Sequence, residues 1–152
     1  MEPFINVTGI IAKPAHDVYE AVADPAVLSR YFTTGGAEGR METGATVSWE
    51  FADFPGAFPV HVVEVEQDKR IEFTWGAEAG SVPEGETESR VVFTFEPLDD
   101  GRTRVTIEGS GFADSEAGWK AVLDQTGGWT GMLCAMKVWL EHGINLREGF
   151  YI

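Results

Sequence analysis

Large apolar residues alternate with polar ones through most of the middle of the chain, and this alternation predicts a β-sheet. Five segments of strand length show it, namely residues 45–51, 58–66, 70–75, 88–96 and 102–108. A further strand is predicted at residues 4–11, where β-branched residues are frequent. Consecutive strands that are apolar on one face and polar on the other predict an antiparallel sheet that is covered on one side only.

Two short helices are predicted between the first strand and the remaining ones. Residues 15–23 carry apolar side chains at helical spacing and follow Pro14, which suits the start of a helix. Asp24 is predicted as the N-cap of the second helix, over residues 26–31. A Thr-Thr-Gly-Gly sequence then breaks the helical pattern before the strands begin.

A long helix is predicted over residues 126–143, because its apolar side chains recur at steps of three and four and Gly143 suits its end. A separate short amphipathic segment is predicted just before it, over residues 115–124. Only the long helix has enough apolar area to cover the open face of the sheet, and a sheet that wraps one helix must curve. The sequence therefore predicts a single α+β domain over residues 1–152, with a curved antiparallel sheet around a C-terminal helix.

Composition and charge narrow the classes of function. A chain of 152 residues can bury a sufficient core without metals or disulfides. Its formal net charge of −14 repels phosphate backbones and anionic membranes, so nucleic-acid binding is excluded. Cys134 is the only cysteine and no zinc or haem spacing is present, so we expect no metal and no cofactor. Because no signal peptide or membrane-spanning stretch is evident, we expect a cytoplasmic protein without membrane insertion.

Aromatic residues are abundant, with ten Phe and five Trp, and such rings line ligand pockets as well as cores. We predict a cavity between sheet and helix that is lined by Trp49, Phe51, His61, Phe73, Trp75, Phe93, Phe95, Trp129, Met132 and Met136. His61 shares the phase of Val63 and Val65, so we expect it to face the cavity and to offer a ligand a hydrogen bond or a proton. The alternatives are a filled core for the aromatic residues and a satisfied, partly buried histidine for His61.

Three further features have two interpretations each. Gly127, Gly128 and Gly131 lie close together in the long helix, either for close packing on the sheet or to leave room for a ligand. Cys134 is interpreted as a small core residue rather than a nucleophile. Residues 76–86 are rich in Gly, Glu and Pro and predict a long exposed loop, either a plain connection or a gate to the site. No catalytic residue is predicted.

Three segments taken together resemble a known superfamily. They are the Pro-Ala-x-x-Val-Tyr-x-Ala-x-x-Asp-Pro run within residues 11–32, the Arg-Ile-Glu-Phe-Thr-Trp strand at 70–75, and the Gly-Trp-Thr…Leu…Met-Lys…Leu-Glu pattern at 128–141. This set is similar to the START-like (SRPBCC) superfamily with the helix-grip fold, and within it to the branch of activators of the 90-kDa heat-shock chaperone's ATPase. The resemblance implies the fold far more than any activity.

Three functions follow as expectations from this resemblance and from the residues. The leading one is binding of a hydrophobic or amphipathic small molecule, lipid-like or polycyclic, in the cavity. A cyclase-type or hydratase-type enzyme would use the same cavity, but it needs a convergent polar pair and the sequence shows one half at best. A chaperone-associated protein-binding module, with a link to the stress response, follows from the branch alone. A homodimer is left open.

Overall fold

In the computed structural model, which describes residues 1–152, one antiparallel sheet of seven strands wraps around a long helix. In chain order the elements are β1 (Ile5–Ile11), α1 (Ala15–Ala23), α2 (Pro25–Tyr31), β2 (Gly36–Glu38), β3 (Thr46–Phe51), β4 (Phe54–Glu66), β5 (Arg70–Gly76), β6 (Glu88–Pro97), β7 (Thr103–Ser110) and α3 (Glu116–His142). The strand order across the sheet is β1-β7-β6-β5-β4-β3-β2. The predicted α+β helix-grip architecture is confirmed, whereas the short strand β2 was not predicted.

The sheet is built from successive hairpins, and β1 completes it by pairing along β7 from Ile5 beside Gly109 to Ile11 beside Thr103. The alternation predicted for β3 is confirmed, since Val47 and Trp49 are buried on the inner face. Burial of each such inner-face side chain stabilises the folded protein by about 1.5–3 kcal/mol. The face that packs on the helix is therefore determined by the simple period of two.

The phase predicted for β4 is wrong at His61 and Val63, whereas Val65 packs against the core as predicted. Val60 and Val62 are the buried residues of this strand, and they lie opposite Trp75 and Phe73 of β5. A β-bulge between Val62 and Glu64 then inserts Val63 as an extra residue. The bulge shifts the alternation, so that the spacing of two residues does not hold along the whole strand.

Helix α3 is one continuous helix of 27 residues, and the separate segment predicted over residues 115–124 is wrong. The Ser115 side chain caps the helix by accepting from the Gly118 N–H, and Gly143 ends it in the left-handed conformation at φ 68°. The glycines at its centre weaken the helical pattern in the sequence without breaking the helix. None of the three helices combines the length and apolar character that a membrane crossing requires.

The core lies between the inner face of the sheet, helix α3 and helix α1. Phe73 and Phe93 are fully buried there, and Tyr19 of α1 packs edge-on against Phe95 with 5.8 Å between ring centroids. The loop between β5 and β6 is less exposed than predicted, because Ser81 is buried and its carbonyl accepts from the Ala113 N–H. This loop therefore lies against the start of α3.

Candidate functional site

A cleft of about 640 Å³, here called the aromatic cleft, opens between the middle of α3, the inner edge of the sheet and the C-terminal tail, residues 144–152. Eleven of its eighteen lining residues are hydrophobic, which is typical of a site for an apolar ligand. The lining comprises Phe32, Phe51, Phe54, Trp75, Asp124, Gln125, Gly127, Gly128, Trp129, Thr130, Gly131, Met132, Cys134, Ala135, Leu146, Arg147, Phe150 and Tyr151.

The helix wall of the aromatic cleft is made of small residues. Gly131 lies three or four residues from each of Gly127, Gly128, Cys134 and Ala135, so the five share one broad face of α3. A Cβ added at Gly127 or Gly128 would meet no atom within 4 Å, and one at Gly131 would lie 3.3 Å from the Tyr151 hydroxyl. Close packing on the sheet does not account for the first two glycines. Their effect is to leave open space beside the helix.

Aromatic rings form the sheet wall of the cleft. Trp75 of β5 stacks on Trp129 of α3 with ring centroids 5.2 Å apart and planes 26° apart. Phe32, which follows α2, meets Phe51 of β3 edge-on at 5.0 Å. Edge-on and offset-stacked pairs of this kind are the favoured arrangements of aromatic side chains. These contacts hold the rings of the wall against one another.

The C-terminal tail forms the third wall, and an ion pair attaches it to the sheet. Arg147 donates two hydrogen bonds to Asp53, and the two side chains are 10% and 11% exposed, respectively. The same guanidinium lies over the ring of Tyr151 at 4.6 Å and that of Phe51 at 5.4 Å, a cation–π arrangement. The hydrogen bonds from Arg147 hold the pKa of Asp53 below its usual value. The carboxylate therefore stays ionised and paired at neutral pH.

Three buried polar atoms beside the cleft have no hydrogen-bond partner in the protein. They are the indole nitrogens of Trp75 and Trp129 and the side-chain oxygen of Gln125. A buried polar atom without a partner costs about 1–3 kcal/mol, and native proteins contain few of them. Two donors and one acceptor are thus unsatisfied on residues that line the cleft.

The structure brings together only some of the predicted site residues. Phe51, Trp75, Trp129 and Met132 line the aromatic cleft. The other predicted residues apart from His61 are enclosed in the filled core at 0–2% exposure, namely Trp49, Phe73, Phe93, Phe95 and Met136. Four of the ten predicted residues therefore border open space.

The prediction that His61 faces the cavity is wrong. His61 lies on the outer face of the sheet, where Nδ1 is 3.1 Å from the Thr46 hydroxyl and Nε2 is 3.2 Å from a carboxylate oxygen of Glu88. The physical reason is the β-bulge after Val62. Val60 and Val62 point inward before it, so His61, which lies between them, points outward. The interpretation of Cys134 as a core residue is also wrong, since its side chain is exposed in the cleft.

Sequence reasoning missed the contribution of the C-terminal tail. Leu146, Arg147, Phe150 and Tyr151 all line the cleft, and the aromatic residues after the helix stop at Gly143 were the available signal. The run of small residues at helical steps was a second signal. The sequence analysis followed the large apolar stripe of the helix instead.

A second cleft, here called the polar cleft, lies on the other side of Trp75 and has a volume of about 650 Å³. Five of its fourteen lining residues are hydrophobic, so it is more polar than the aromatic cleft. Its lining comprises Phe58, Pro59, Trp75, Gly76, Ala77, Glu78, Ser81, Thr87, Glu88, Ala117, Lys120, Ala121, Asp124 and Gln125. No group of three His, Cys, Asp or Glu side chains is arranged to hold a metal ion.

A seven-stranded antiparallel sheet around a long C-terminal helix, with two short helices after the first strand, defines a helix-grip protein. A family model described as Activator of Hsp90 ATPase homolog 1-like protein matches residues 12–141. The chain belongs to this family, as the resemblance in the sequence implied. No curated protein matches the sequence.

Solved structures agree with this assignment. Protein SSP2350 from Staphylococcus saprophyticus is 28% identical at a TM-score of 0.78, with 95% of this chain and 96% of that chain covered. DynU16, described as a putative protein in the dynemicin biosynthetic locus, is 25% identical at a TM-score of 0.77. The match covers 94% of this chain but only 49% of DynU16. The Aha1 dimer from Colwellia psychrerythraea is 21% identical at a TM-score of 0.75, with coverage of 92% and 97%, and shows the fold alone.

Proposed function

We propose that this protein binds an apolar or amphipathic small molecule, lipid-like or polycyclic, in the aromatic cleft. The observation that carries the proposal is the glycine wall of α3. Gly127 and Gly128 cost about 0.5–1 kcal/mol each in a helix interior, and nothing packs against the positions of their missing side chains. A stability cost without a packing reason is typical of a functional site.

The size and chemistry of the cleft suit such a ligand. A volume of about 640 Å³ falls within the range of roughly 300–1,000 Å³ for small-molecule sites. Apolar burial against the rings of Phe32, Phe51 and Trp75 would supply most of the affinity. The unpartnered indole nitrogens of Trp75 and Trp129 would supply orientation, once small movements of the rings bring them to the ligand.

Binding is favoured over catalysis by the state of the charged side chains. A cyclase or hydratase needs an acid–base pair that converges on the cleft. Arg147 is occupied by Asp53, and Asp124 accepts a hydrogen bond of 2.7 Å from Lys120. The neighbour from a biosynthetic locus supports a role close to small-molecule chemistry without identifying a reaction.

A chaperone-associated role is the second candidate, and a surface feature favours it. Phe54, Ile144, Phe150 and Ile152 at or near the rim of the cleft are each between 58% and 82% exposed. Exposed apolar residues that lie together mark interaction surfaces as well as ligand entrances. This candidate predicts that the protein stimulates the ATPase of its cognate 90-kDa chaperone, and that Phe54→Ser reduces the stimulation.

The experiment that tests the leading proposal is a fluorescence titration with N-phenyl-1-naphthylamine, a neutral apolar probe. We expect saturable binding to the wild-type protein at micromolar probe concentrations. Gly128→Phe places a ring in the cleft and should weaken binding at least about tenfold, because it removes apolar contact worth more than 1.4 kcal/mol.

The matched control is Leu123→Phe, which adds a ring on the same helix at a position that is 71% exposed and lines neither cleft. Circular dichroism should show that both variants keep the wild-type helix content. Equal affinity of Gly128→Phe and Leu123→Phe, or no saturable binding to the wild type, would overturn the proposal.

A further inference from the structure

The third glycine of the helix wall has a neighbour that the first two lack. A Cβ added at Gly131 would lie 3.3 Å from the Tyr151 hydroxyl, whereas one at Gly127 or Gly128 would meet no atom within 4 Å. A separation of 3.3 Å is shorter than an ordinary van der Waals contact, so a side chain at Gly131 would push the hydroxyl away. Glycine at this position therefore allows Tyr151 to lie against the helix.

Tyr151 also contacts the opposite side of the aromatic cleft. Its ring centroid is 6.2 Å from that of Phe54, the first residue of β4, and the Arg147 guanidinium lies over the ring at 4.6 Å. Arg147 is fixed in turn by its two hydrogen bonds to Asp53. Tyr151 and Phe54 both line the cleft and are both exposed on their outer sides. The Tyr151 ring therefore lies across the gap between helix α3 and strand β4, at the outer side of the cleft.

Side-chain contacts alone hold Tyr151 in this place. Its backbone and its hydroxyl make no hydrogen bond within the protein. The segment before it is fixed, because the side-chain oxygen of Asn145 accepts from the N–H groups of Arg147 at 3.0 Å and Glu148 at 3.1 Å. Gly149 follows in the left-handed conformation at φ 67°. Tyr151 can thus leave its position without breaking a hydrogen bond, while Arg147 stays attached to the sheet.

We propose that Tyr151 is a gate on the aromatic cleft and that Gly131 is the seat of its hydroxyl on helix α3. The ring closes the gap between helix and sheet when it rests on Gly131, and it turns outward to let a ligand enter or leave. Arg147 is a positioning residue, because its cation–π contact holds the ring in the closed position. This inference rests on the proposed function, since the gate acts only on ligands that the aromatic cleft binds.

The experiment is stopped-flow fluorescence with N-phenyl-1-naphthylamine on the full chain. Tyr151→Ala should raise the association and dissociation rate constants each at least about fivefold, a factor that corresponds to about 1 kcal/mol. The dissociation constant should stay within about twofold of wild type, because a gate slows both directions alike. A side chain that only contacts the ligand would change the dissociation rate alone. An association rate constant equal to that of the wild type would therefore overturn the inference.

The matched control is Phe4→Ala, which removes an exposed aromatic ring at a position that lines neither cleft. Both of its rate constants should stay within about 1.5-fold of wild type, since it leaves the gap between helix and sheet unchanged. Circular dichroism should show wild-type helix content for both variants. Equal acceleration by Phe4→Ala and Tyr151→Ala would contradict a local gate.

The role of Gly131 is tested by combining two substitutions. Gly131→Ala places a methyl group against the Tyr151 hydroxyl, so it should displace the ring and raise the association rate constant at least about twofold. In the Tyr151→Ala background the same substitution should change that constant by less than about 1.5-fold, because the group it displaces is gone. Equal effects of Gly131→Ala in the two backgrounds would overturn the seat.

The outcomes distinguish this inference from the proposed function. If N-phenyl-1-naphthylamine does not bind the wild-type protein, the proposed function fails and the gate fails with it. If the probe binds and Gly128→Phe blocks it, but Tyr151→Ala leaves the association rate constant unchanged, only the gate fails.

Discussion

Two neighbouring stripes of helix α3 meet the rest of the molecule in different ways. The stripe with Leu133 and Met136 is at most 6% exposed, lines neither cleft and packs into the core. The stripe with Gly127 and Gly128, on the adjacent face of the same helix, borders open space. The same helix thus supplies both part of the close-packed core and the wall of a cleft.

The two stripes also differ in what covers them. The large stripe is enclosed by strand β1 of the sheet and by helix α2. The small stripe is covered by the C-terminal tail, which is attached through the ion pair of Arg147 with Asp53. The tail forms no helix or strand, so this wall yields more easily than the hydrogen-bonded sheet. This difference can be tested by substitution on each side.

The largest loss of stability is expected from a substitution in the close-packed core. Phe93 is fully buried, so Phe93→Ala should cost about 3–5 kcal/mol in the free energy of unfolding, through lost burial and a new cavity. Trp75→Ala should cost only roughly 2 kcal/mol, because this ring is half-buried and already borders two clefts. Denaturant unfolding of both variants gives the comparison. Equal losses would contradict the distinction between a filled and an open side.

An intermediate effect is expected at the tail. Arg147 lowers the pKa of Asp53 in the folded protein, so the pair stabilises the protein above the usual carboxyl pKa of about 3.9 and is lost as the pH falls below it. Asp53→Asn should therefore reduce stability by about 1 kcal/mol at pH 7. The difference from wild type should be clearly smaller at about pH 3, because the stabilisation is lost progressively as the pH falls below the unfolded pKa and through the lowered folded pKa. Thermal unfolding at both pH values measures this. A difference that persists unchanged at pH 3 would exclude the ion pair as its cause.

The smallest effect is expected at His61, on the outer face of the sheet. His61→Ala removes contacts with Thr46 and Glu88 that are partly exposed, so stability should change by no more than about 0.5 kcal/mol. Affinity for N-phenyl-1-naphthylamine should stay within twofold of wild type, since His61 lines neither cleft. A large loss of affinity would show that the outer face of β4 influences the site.

Much of the fold could be predicted because its signals are local. The period of two places Val47 and Trp49 inside, Asp24 caps α2 through the Ala26 N–H at 2.9 Å, and Gly143 ends α3. Each depends on neighbours within a few residues. The prediction of which residues of β4 point inward was partly wrong, because a β-bulge adds one residue to this strand. A bulge depends on how β4 pairs with β5, which the local pattern does not show.

The candidate site was less predictable, since it depends on which inner residues border open space. Phe73 and Trp75 share one phase of β5, yet the first is fully buried and the second borders two clefts. Periodicity gives the face of a strand and says nothing of what lies opposite each residue. The role of Arg147 was missed for the same reason, because its partner Asp53 is distant in sequence.

The sequence by itself determined six of the seven strands, the two short helices, the C-terminal part of the long helix and the presence of many aromatic rings on one face of the sheet, and its resemblance to a known family pointed to the fold. Only the tertiary structure decided where the helix leaves a gap, how the tail covers it and which polar atoms stay without partners beside it. The physical reason is the range of the interactions. Secondary structure follows from contacts between near neighbours, whereas a cleft is the space that remains after distant segments have packed.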